Sequence, residues 1–225
     1  MPVLIAVACY LIGSIPFAYL LTLLITGEDV RTLGNRNAGA ANVYRAVSKA
    51  AGAAVSISDI GKGAVAVLFM RAMHPGGWWP LAGGVAAVLG HNFPVWLAFR
   101  GGRGLAASIG ALLALMPVET AIVLPVLGLI FLVLTGSAIT GAIVSFLLLI
   151  GLATWRNRTL PYILAPLVFL LAMAVRWIPQ EVRAVRQAED MGELLRSHLL
   201  DQRYEEGGRP SEEAAARPVG KDSAD

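Results

Sequence analysis

Long apolar runs occupy most of the chain up to about residue 179, and they constrain the fold more than any other feature. These 179 residues hold only four Asp or Glu and eleven Lys or Arg. A helix needs about 20 apolar residues to cross the hydrocarbon core of a bilayer. Of the whole sequence, 56% is hydrophobic and only 15% charged, too little charge to cover a soluble domain of this length. The sequence therefore predicts an all-α, polytopic integral membrane protein.

We predict about seven membrane helices, because Gly, Pro and charged residues interrupt the apolar runs at intervals. The predicted helices cover approximately residues 3–26, 50–73, 78–99, 105–116, 118–134, 139–154 and 160–177. The fourth is short, since twelve residues extend over about 18 Å, less than the ~30 Å of the core. It is either a complete span or a broken, re-entrant helix.

Charge and composition divide the chain into three regions. Residues 1–179 form a membrane domain whose eleven bases and four acids give a net charge of +7. Residues 180–203 are predicted to be a cytoplasmic amphipathic segment, and 204–225 a disordered tail, because Glu, Gly, Pro, Ala and Ser dominate there. A basic membrane domain suits anionic headgroups and phosphorylated substrates, although basic residues also simply mark cytoplasmic loops.

The basic residues also predict the orientation. With the N-terminus outside and the C-terminus cytoplasmic, six Lys or Arg lie in inner loops. Only Arg71, Arg156 and Arg158 lie in outer loops. The first apolar run lacks the basic flank of a signal peptide, so we expect it to be a retained helix. The single cysteine, Cys9, permits no disulfide within the chain.

The first polar cluster covers residues 29–45 and combines glycines, asparagines and three arginines. Glycine lets backbone amides approach an anion closely, and Arg binds phosphate oxygens in a bidentate manner. An ordinary polar loop with turn residues is the alternative. The candidate ligand-binding residues of this cluster are Arg31, Asn35, Asn37, Gly39, Asn42 and Arg45.

A second cluster, Asp59 with Lys62, lies inside the second apolar run. Ionisable residues within a membrane helix are costly, so each indicates function by default. Because the two are three positions apart, they share one face of a helix and can form an ion pair. Either the pair ties helices together, or Lys62 binds a phosphate and Asp59 orients it.

The third cluster begins at His91 and continues, after Pro94, into Arg100-Gly-Gly-Arg103-Gly104. Two cations around a flexible backbone, followed by the amides that open the fourth helix, favour a phosphate site. A positive anchor with a tight turn is the alternative. The third cluster is not a Walker A loop, because the Gly-Lys-Ser/Thr ending of that motif is missing. His91 is either a packing hydrogen bonder or a catalyst. No metal-binding pattern occurs.

In this order the three clusters resemble the bacterial acyl-phosphate:glycerol-3-phosphate acyltransferase family of the PlsY type. The similar text begins at Gly13-Ser-Ile-Pro-Phe17 and continues through Asp29–Arg45. It then takes in Asp59-x-x-Lys-Gly63, Gly90-His-x-Phe-Pro94 and Gly101–Gly104. The family usually has Gly-Ser-Gly-Asn where this chain has Gly34-Asn-Arg-Asn37, and its C-terminal His-x-x-Asn-Ile-x-Arg is Trp-Ile-Pro-Gln-Glu-Val-Arg at 177–183.

The resemblance implies seven membrane helices in the bacterial inner membrane, with the motif loops in the cytoplasm. It implies transfer of a fatty acyl group from acyl phosphate to the 1-hydroxyl of glycerol 3-phosphate, giving lysophosphatidic acid for phospholipid synthesis. We expect no cofactor or metal, no nucleic-acid partner and a monomer in the lipid bilayer. A catalytically altered paralogue that binds anionic or phosphorylated lipid is an alternative, and an organic-anion transporter is another.

From the residues and the resemblance together, we predict His91 and Lys62 as catalytic residues. A larger set, drawn from all three clusters, is predicted to bind substrate. It consists of Arg31, Asn35, Asn37, Gly39, Asn42, Arg45, Asp59, Arg100, Gly101, Gly102, Arg103 and Gly104.

Overall fold

The computed structural model describes residues 1–130 and 138–187, and for residues 180–187 it describes the backbone alone. Within these ranges the chain is helical and contains no β-strand, as predicted. A 3₁₀ turn covers Val95–Leu97. The helices are α1 Pro2–Ser14, α2 Phe17–Thr26, α3 Ala40–Ala46, α4 Lys49–Met73, α5 Trp79–Asn92, α6 Leu105–Leu115, α7 Pro117–Leu129, α8 Ala138–Trp155 and α9 Leu160–Gln187.

Four segments of the described chain are long and apolar enough to cross a membrane: Pro2–Thr26, Lys49–Met73, Ala138–Trp155 and Leu160–Pro179. Helices α6 and α7 are apolar but shorter. Large aliphatic side chains point outward along the spans; Leu24, for example, is 86% exposed. Such a surface suits lipid tails, which need no polar cover. The count of seven spans stays a prediction.

Several predicted boundaries differ from the structure. The first run breaks between α1 and α2, because Pro16 cannot donate a backbone hydrogen bond. The third helix was expected to reach Phe99, but α5 ends at Asn92, just before Pro94. The loop predicted at 27–49 contains α3, and α9 continues past Trp177. The rest of the amphipathic segment and the tail lie outside the described residues.

Close glycine contacts bring the helices together. A Cβ on Gly13 or Gly90 would overlap the carbonyl oxygens of Ala87 and Tyr10, so α1 and α5 meet backbone to backbone. Helices α4 and α6 meet in the same way, at Gly63 and at Gly110. Small residues at helix interfaces allow this approach, which supplies the van der Waals contact that holds helices together in lipid.

The helices form a bundle with two ends. The motif end carries the loops at residues 27–48 and 93–104, where α2 and α5 finish and α4 and α6 begin. The opposite end carries the α6–α7 and α8–α9 turns, and there Arg71 Nη2 donates to the Leu115 carbonyl at 3.4 Å. All three predicted polar clusters therefore lie at or near the motif end.

At the opposite end one buried carboxylate holds two arginines. Glu119 is fully buried at the start of α7. Its oxygens accept from Arg158 Nε at 2.7 Å and Nη2 at 3.1 Å, and Arg156 Nε lies 3.0 Å away. Both arginines lie in a predicted outer loop, so they count against the orientation that was predicted from the basic residues. Their pairing with Glu119 gives them a structural task, joining α7 to the α8–α9 turn.

We expect Glu119→Gln to lower the free energy of unfolding by about 1–2 kcal/mol, because hydrogen bonds to a charged group become neutral ones. The exposed Glu28→Gln is the matched control and should change nothing measurable. Thermal unfolding of both variants in detergent measures the difference. Equal melting temperatures would show that the Glu119 cluster does not hold the two turns together.

Candidate functional site

The buried pair predicted on α4 is present. Lys62 Nζ lies 2.8 Å from Asp59 Oδ1, and both side chains are buried. Lys62 also donates to the Ile15 carbonyl at 3.0 Å, at the break between α1 and α2. That carbonyl also accepts from the backbone N of Phe17, the first residue of α2, at 3.2 Å. The pair therefore fixes the α1–α2 break against α4.

His91, in the last turn of α5, joins this pair. Its Nδ1 is 3.5 Å from Asp59 Oδ1, and the side chain is buried. On the other side its Nε2 faces the backbone of Gly102, where an added Cβ would overlap it. The imidazole thus lies between the carboxylate and the turn at Arg100–Gly104, here called the Gly-rich turn. This geometry suits support of the turn, while the predicted catalytic role of His91 stays untested.

The Gly-rich turn closes back onto the end of α5. Gly101 N donates to the Asn92 carbonyl at 3.1 Å and Gly102 N to the His91 carbonyl at 3.2 Å. Gly104 has a φ of 87°, in the left-handed region that favours glycine, and α6 starts at the next residue. The free amides of the first turn of α6 therefore open beside Arg103 at the motif end.

Asn42 organises the first loop. Its Nδ2 donates to the carbonyls of Val30 and Leu33, both at 3.0 Å, and its Oδ1 accepts from Asn35 N at 3.0 Å. The side chain is 1% exposed. Because both ends of the amide bind backbone, Asn42 shapes the loop from within. Its predicted contact with substrate stays untested.

Arg31 links the two motif loops. It forms an ion pair with Asp29 at 2.6 Å, and its Nη1 donates to the Leu97 carbonyl at 3.2 Å. Hydrogen bonds from Arg31 hold the pKa of Asp29 below its ordinary value. A carboxylate held ionised in this way keeps Arg31 oriented down to low pH. Arg31 therefore connects the loops as well as being a predicted phosphate ligand.

The remaining predicted residues lie around these loops. Arg45 is exposed on the last turn of α3 and donates to the Ala41 carbonyl at 3.1 Å. Gly39 caps the start of α3, and Asn37 N donates to Asn35 Oδ1 at 3.1 Å. Arg100 is exposed and Arg103 half-buried in the Gly-rich turn. The three clusters thus converge on one region of the motif end.

Arg176 was not among the residues predicted from the sequence. It lies on α9, where its Nη2 donates to the Gly101 carbonyl at 3.1 Å and its guanidinium carbon lies 5.8 Å from the centre of the Phe93 ring. One turn earlier, the Ala172 carbonyl accepts from Asn92 Nδ2 at 2.9 Å. Helix α9 therefore holds both ends of the turn. A cation at the end of an apolar run is also an ordinary topology marker, so no sequence signal distinguished this one.

Two cavities adjoin the α1–α2 break. A small polar one, about 10 Å³ and so large enough for about one water molecule, is bordered by Asp59, Lys62, His91 and the buried Ser14. Its larger neighbour has a volume of about 350 Å³. That apolar groove is lined by Ile15, Pro16, Tyr19, Leu20, Trp96 and Leu97.

The arrangement combines cations and free amides for anions with an adjacent apolar groove. Ile15, Pro16 and Leu97 border both cavities, so the polar and apolar parts share a wall. Such a site can bind a molecule that has a phosphate head and a hydrocarbon chain.

Comparison with known proteins gives a consistent result. A family model described as glycerol-3-phosphate acyltransferase matches residues 3–187. Glycerol-3-phosphate acyltransferase 4 of Dehalococcoides mccartyi is 43% identical over 149 residues, which cover 66% of this chain and 80% of that protein. Glycerol-3-phosphate acyltransferase of Thermus thermophilus is 39% identical over 180 residues, which cover 76% of this chain and 84% of that protein.

Solved structures agree. The crystal structure of PlsY, an integral membrane glycerol 3-phosphate acyltransferase, in its glycerol 3-phosphate form matches with a TM-score of 0.73 at 26% identity. The match covers 86% of this chain and 98% of that one. The lysophosphatidic acid form of the same enzyme matches with a TM-score of 0.68, over 82% of this chain and 92% of that one.

Proposed function

The chain belongs to the glycerol-3-phosphate acyltransferase family, and we propose that it takes its acyl group from acyl phosphate and places it on the 1-hydroxyl of glycerol 3-phosphate. It is an integral membrane acyltransferase of phospholipid synthesis. One observation carries the proposal of the donor: a basic, glycine-rich motif end adjoins an apolar groove. An acyl phosphate has a phosphate group that suits the basic end and a hydrocarbon chain that suits the groove.

In the proposed reaction the 1-hydroxyl oxygen attacks the carbonyl carbon of acyl phosphate. The new ester C–O bond forms, the bond from that carbon to the phosphate oxygen breaks, and inorganic phosphate leaves with the hydroxyl proton. Because the donor is already activated, the enzyme needs no nucleophile of its own. Its task is to position two phosphate-bearing substrates and to stabilise the charge that develops on the carbonyl and the phosphate.

Within this proposal Arg45, Arg103 and the amides that open α6 hold substrate phosphates. The asparagines of the first loop and the glycines of the turn shape the site. Lys62, Asp59 and His91 act from behind the turn, because all three are buried and His91 faces the Gly102 backbone. The acyl chain lies in the apolar groove, whose wall includes Leu20 and Trp96.

We also propose that the enzyme acts as a monomer in the bacterial inner membrane, N-terminus outside, with its motif end in the cytoplasm. The excess of basic residues at that end supports this orientation. So does the pairing of Arg156 and Arg158 with Glu119, because it accounts for two of the three arginines at the other end. Cysteine labelling of the Trp78 and Arg100 loops in intact cells tests the orientation.

Arg103→Ala tests the site. We expect kcat/KM for acyl transfer to fall about 10²–10³-fold, the usual effect of removing one charge-stabilising group from an active site. Arg103→Lys should retain part of the activity, since it keeps the charge without the guanidinium fork. Lys49→Ala, which removes an exposed cation at the same end, is the control. The assay is lysophosphatidate formation by protein in lipid, and Arg103→Ala at wild-type rate would refute this assignment.

A further inference from the structure

Arg36 has an unfavourable backbone conformation. Its φ is +60°, and its N donates to the Leu33 carbonyl at 2.9 Å to close a tight turn. The left-handed region is costly for a residue with a Cβ and costs glycine nothing. Glycine would therefore be the favourable residue at this position. An arginine here indicates that the side chain has a use.

The surrounding loop imposes this conformation. Asn42 holds the Val30 and Leu33 carbonyls and the Asn35 amide, and Asn35 Oδ1 accepts from Asn37 N. These hydrogen bonds lie on both sides of residue 36. The turn is thus fixed independently of the side chain at that position, which is the condition under which a strained residue persists.

The loop also brings Arg36 to the edge of the site. Two residues later, the Ala38 carbonyl lies against Gly102: a Cβ on Gly102 would be 3.0 Å from that oxygen. Ala38 and Gly101 border the same small polar cavity. Arg36 therefore lies two residues from the segment that meets the Gly-rich turn, and it is not part of the buried Asp59–Lys62 pair.

The Arg36 side chain is exposed, and the described residues give it no hydrogen bond or ion pair. Other arginines are committed to protein partners: Arg31 to Asp29, Arg158 to Glu119 and Arg176 to the Gly101 carbonyl. An exposed guanidinium that is close in sequence to a site for phosphates, and has no partner among the described residues, is available to an incoming anion.

We propose that Arg36 binds the phosphate dianion of a substrate at the mouth of the site, and that its strained backbone is retained for this reason. The inference rests on the proposed function, because both substrates named there carry a phosphate. Either glycerol 3-phosphate or acyl phosphate supplies the dianion. The alternative is that Arg36 is a surface arginine that contacts only solvent.

Two substitutions separate the backbone from the charge. Arg36→Gly removes both the strain and the guanidinium, so the melting temperature should rise by roughly 2–4 °C while KM for one substrate rises about tenfold. Arg36→Ala keeps a Cβ, so its melting temperature should stay near the wild-type value while KM rises equally. Lys49→Ala, an exposed cation at the start of α4, should leave KM unchanged.

The measurements are steady-state acyl transfer with each substrate varied in turn, and the rise in melting temperature caused by each substrate alone. The substrate whose KM rises identifies the phosphate that Arg36 binds. A purely structural role could not raise stability and KM together. Unchanged KM and unchanged ligand-induced stabilisation in both Arg36 variants would overturn the inference. If wild-type protein forms no lysophosphatidate from acyl phosphate, the proposed donor is refuted. The rise in melting temperature that each substrate causes would still show whether Arg36 binds its phosphate.

Discussion

Asp59→Ala is expected to destabilise the protein by about 3–5 kcal/mol, because it leaves the Lys62 ammonium buried without its counter-charge. Both side chains are buried on α4. Among the described residues the ammonium then keeps the Ile15 carbonyl at 3.0 Å and the Phe17 ring, whose centre lies 5.7 Å away. His91 loses its charged neighbour at the same time. We therefore expect a large loss of folded protein and of acyl transfer.

The double variant Asp59→Ala/Lys62→Met is the control for this prediction. Removing both charges leaves no uncompensated ion, so a large part of the lost stability should return. Activity should not return with it, because the support behind the Gly-rich turn is gone. Thermal unfolding in detergent and lysophosphatidate formation measure the two effects separately. A single variant as stable as wild type would contradict the account of this pair.

Gly63→Ala is the second large effect. A Cβ at Gly63 would overlap the Ala107 carbonyl oxygen, a backbone atom that cannot rotate away. Helices α4 and α6 must then separate, which we expect to cost about 3 kcal/mol. The same separation would displace α6, whose first amides open at the Gly-rich turn, so acyl transfer should fall as well.

Gly61→Ala provides a matched control on the same helix. Apart from the neighbouring residues and the backbone of α4 itself, no atom of the described residues lies within 4 Å of a Cβ placed there. Alanine in a helix interior is favoured over glycine by about 0.5–1 kcal/mol, so this variant should be as stable as wild type or slightly more so. Melting temperatures of the two variants give the comparison, and equal values would mean that α4 and α6 do not touch at Gly63.

The apolar runs predicted the helices well, because lipid leaves the chain few alternatives to a helix. Two of the errors in the predicted helix limits occurred at prolines. Pro94 ends α5 seven residues before the predicted limit at Phe99, and Pro16 splits the first run. The short helix α3 was missed because its seven residues carry no long apolar period. Local composition therefore predicted most of the described helices, and single residues set their ends.

The site was predicted in part. The pairing of Asp59 with Lys62 followed from their spacing of three on one helix, and the structure confirms it. That His91 reaches the same carboxylate depends on the packing of α5 against α4, and no local pattern contains that information. Arg176 was missed for the same reason, since its partner Gly101 is 75 positions away in sequence.

An assay with different acyl donors decides whether acyl phosphate supplies the acyl group. Purified wild-type protein in lipid is given glycerol 3-phosphate with acyl phosphate. In separate reactions the donor is a thioester, either acyl-CoA or the acylated form of acyl carrier protein. We predict that, of these donors, only acyl phosphate gives lysophosphatidate acylated at the 1-position. Inorganic phosphate should be released in equal amount. Product formation from a thioester but not from acyl phosphate, or no product from any donor with folded protein, would contradict it.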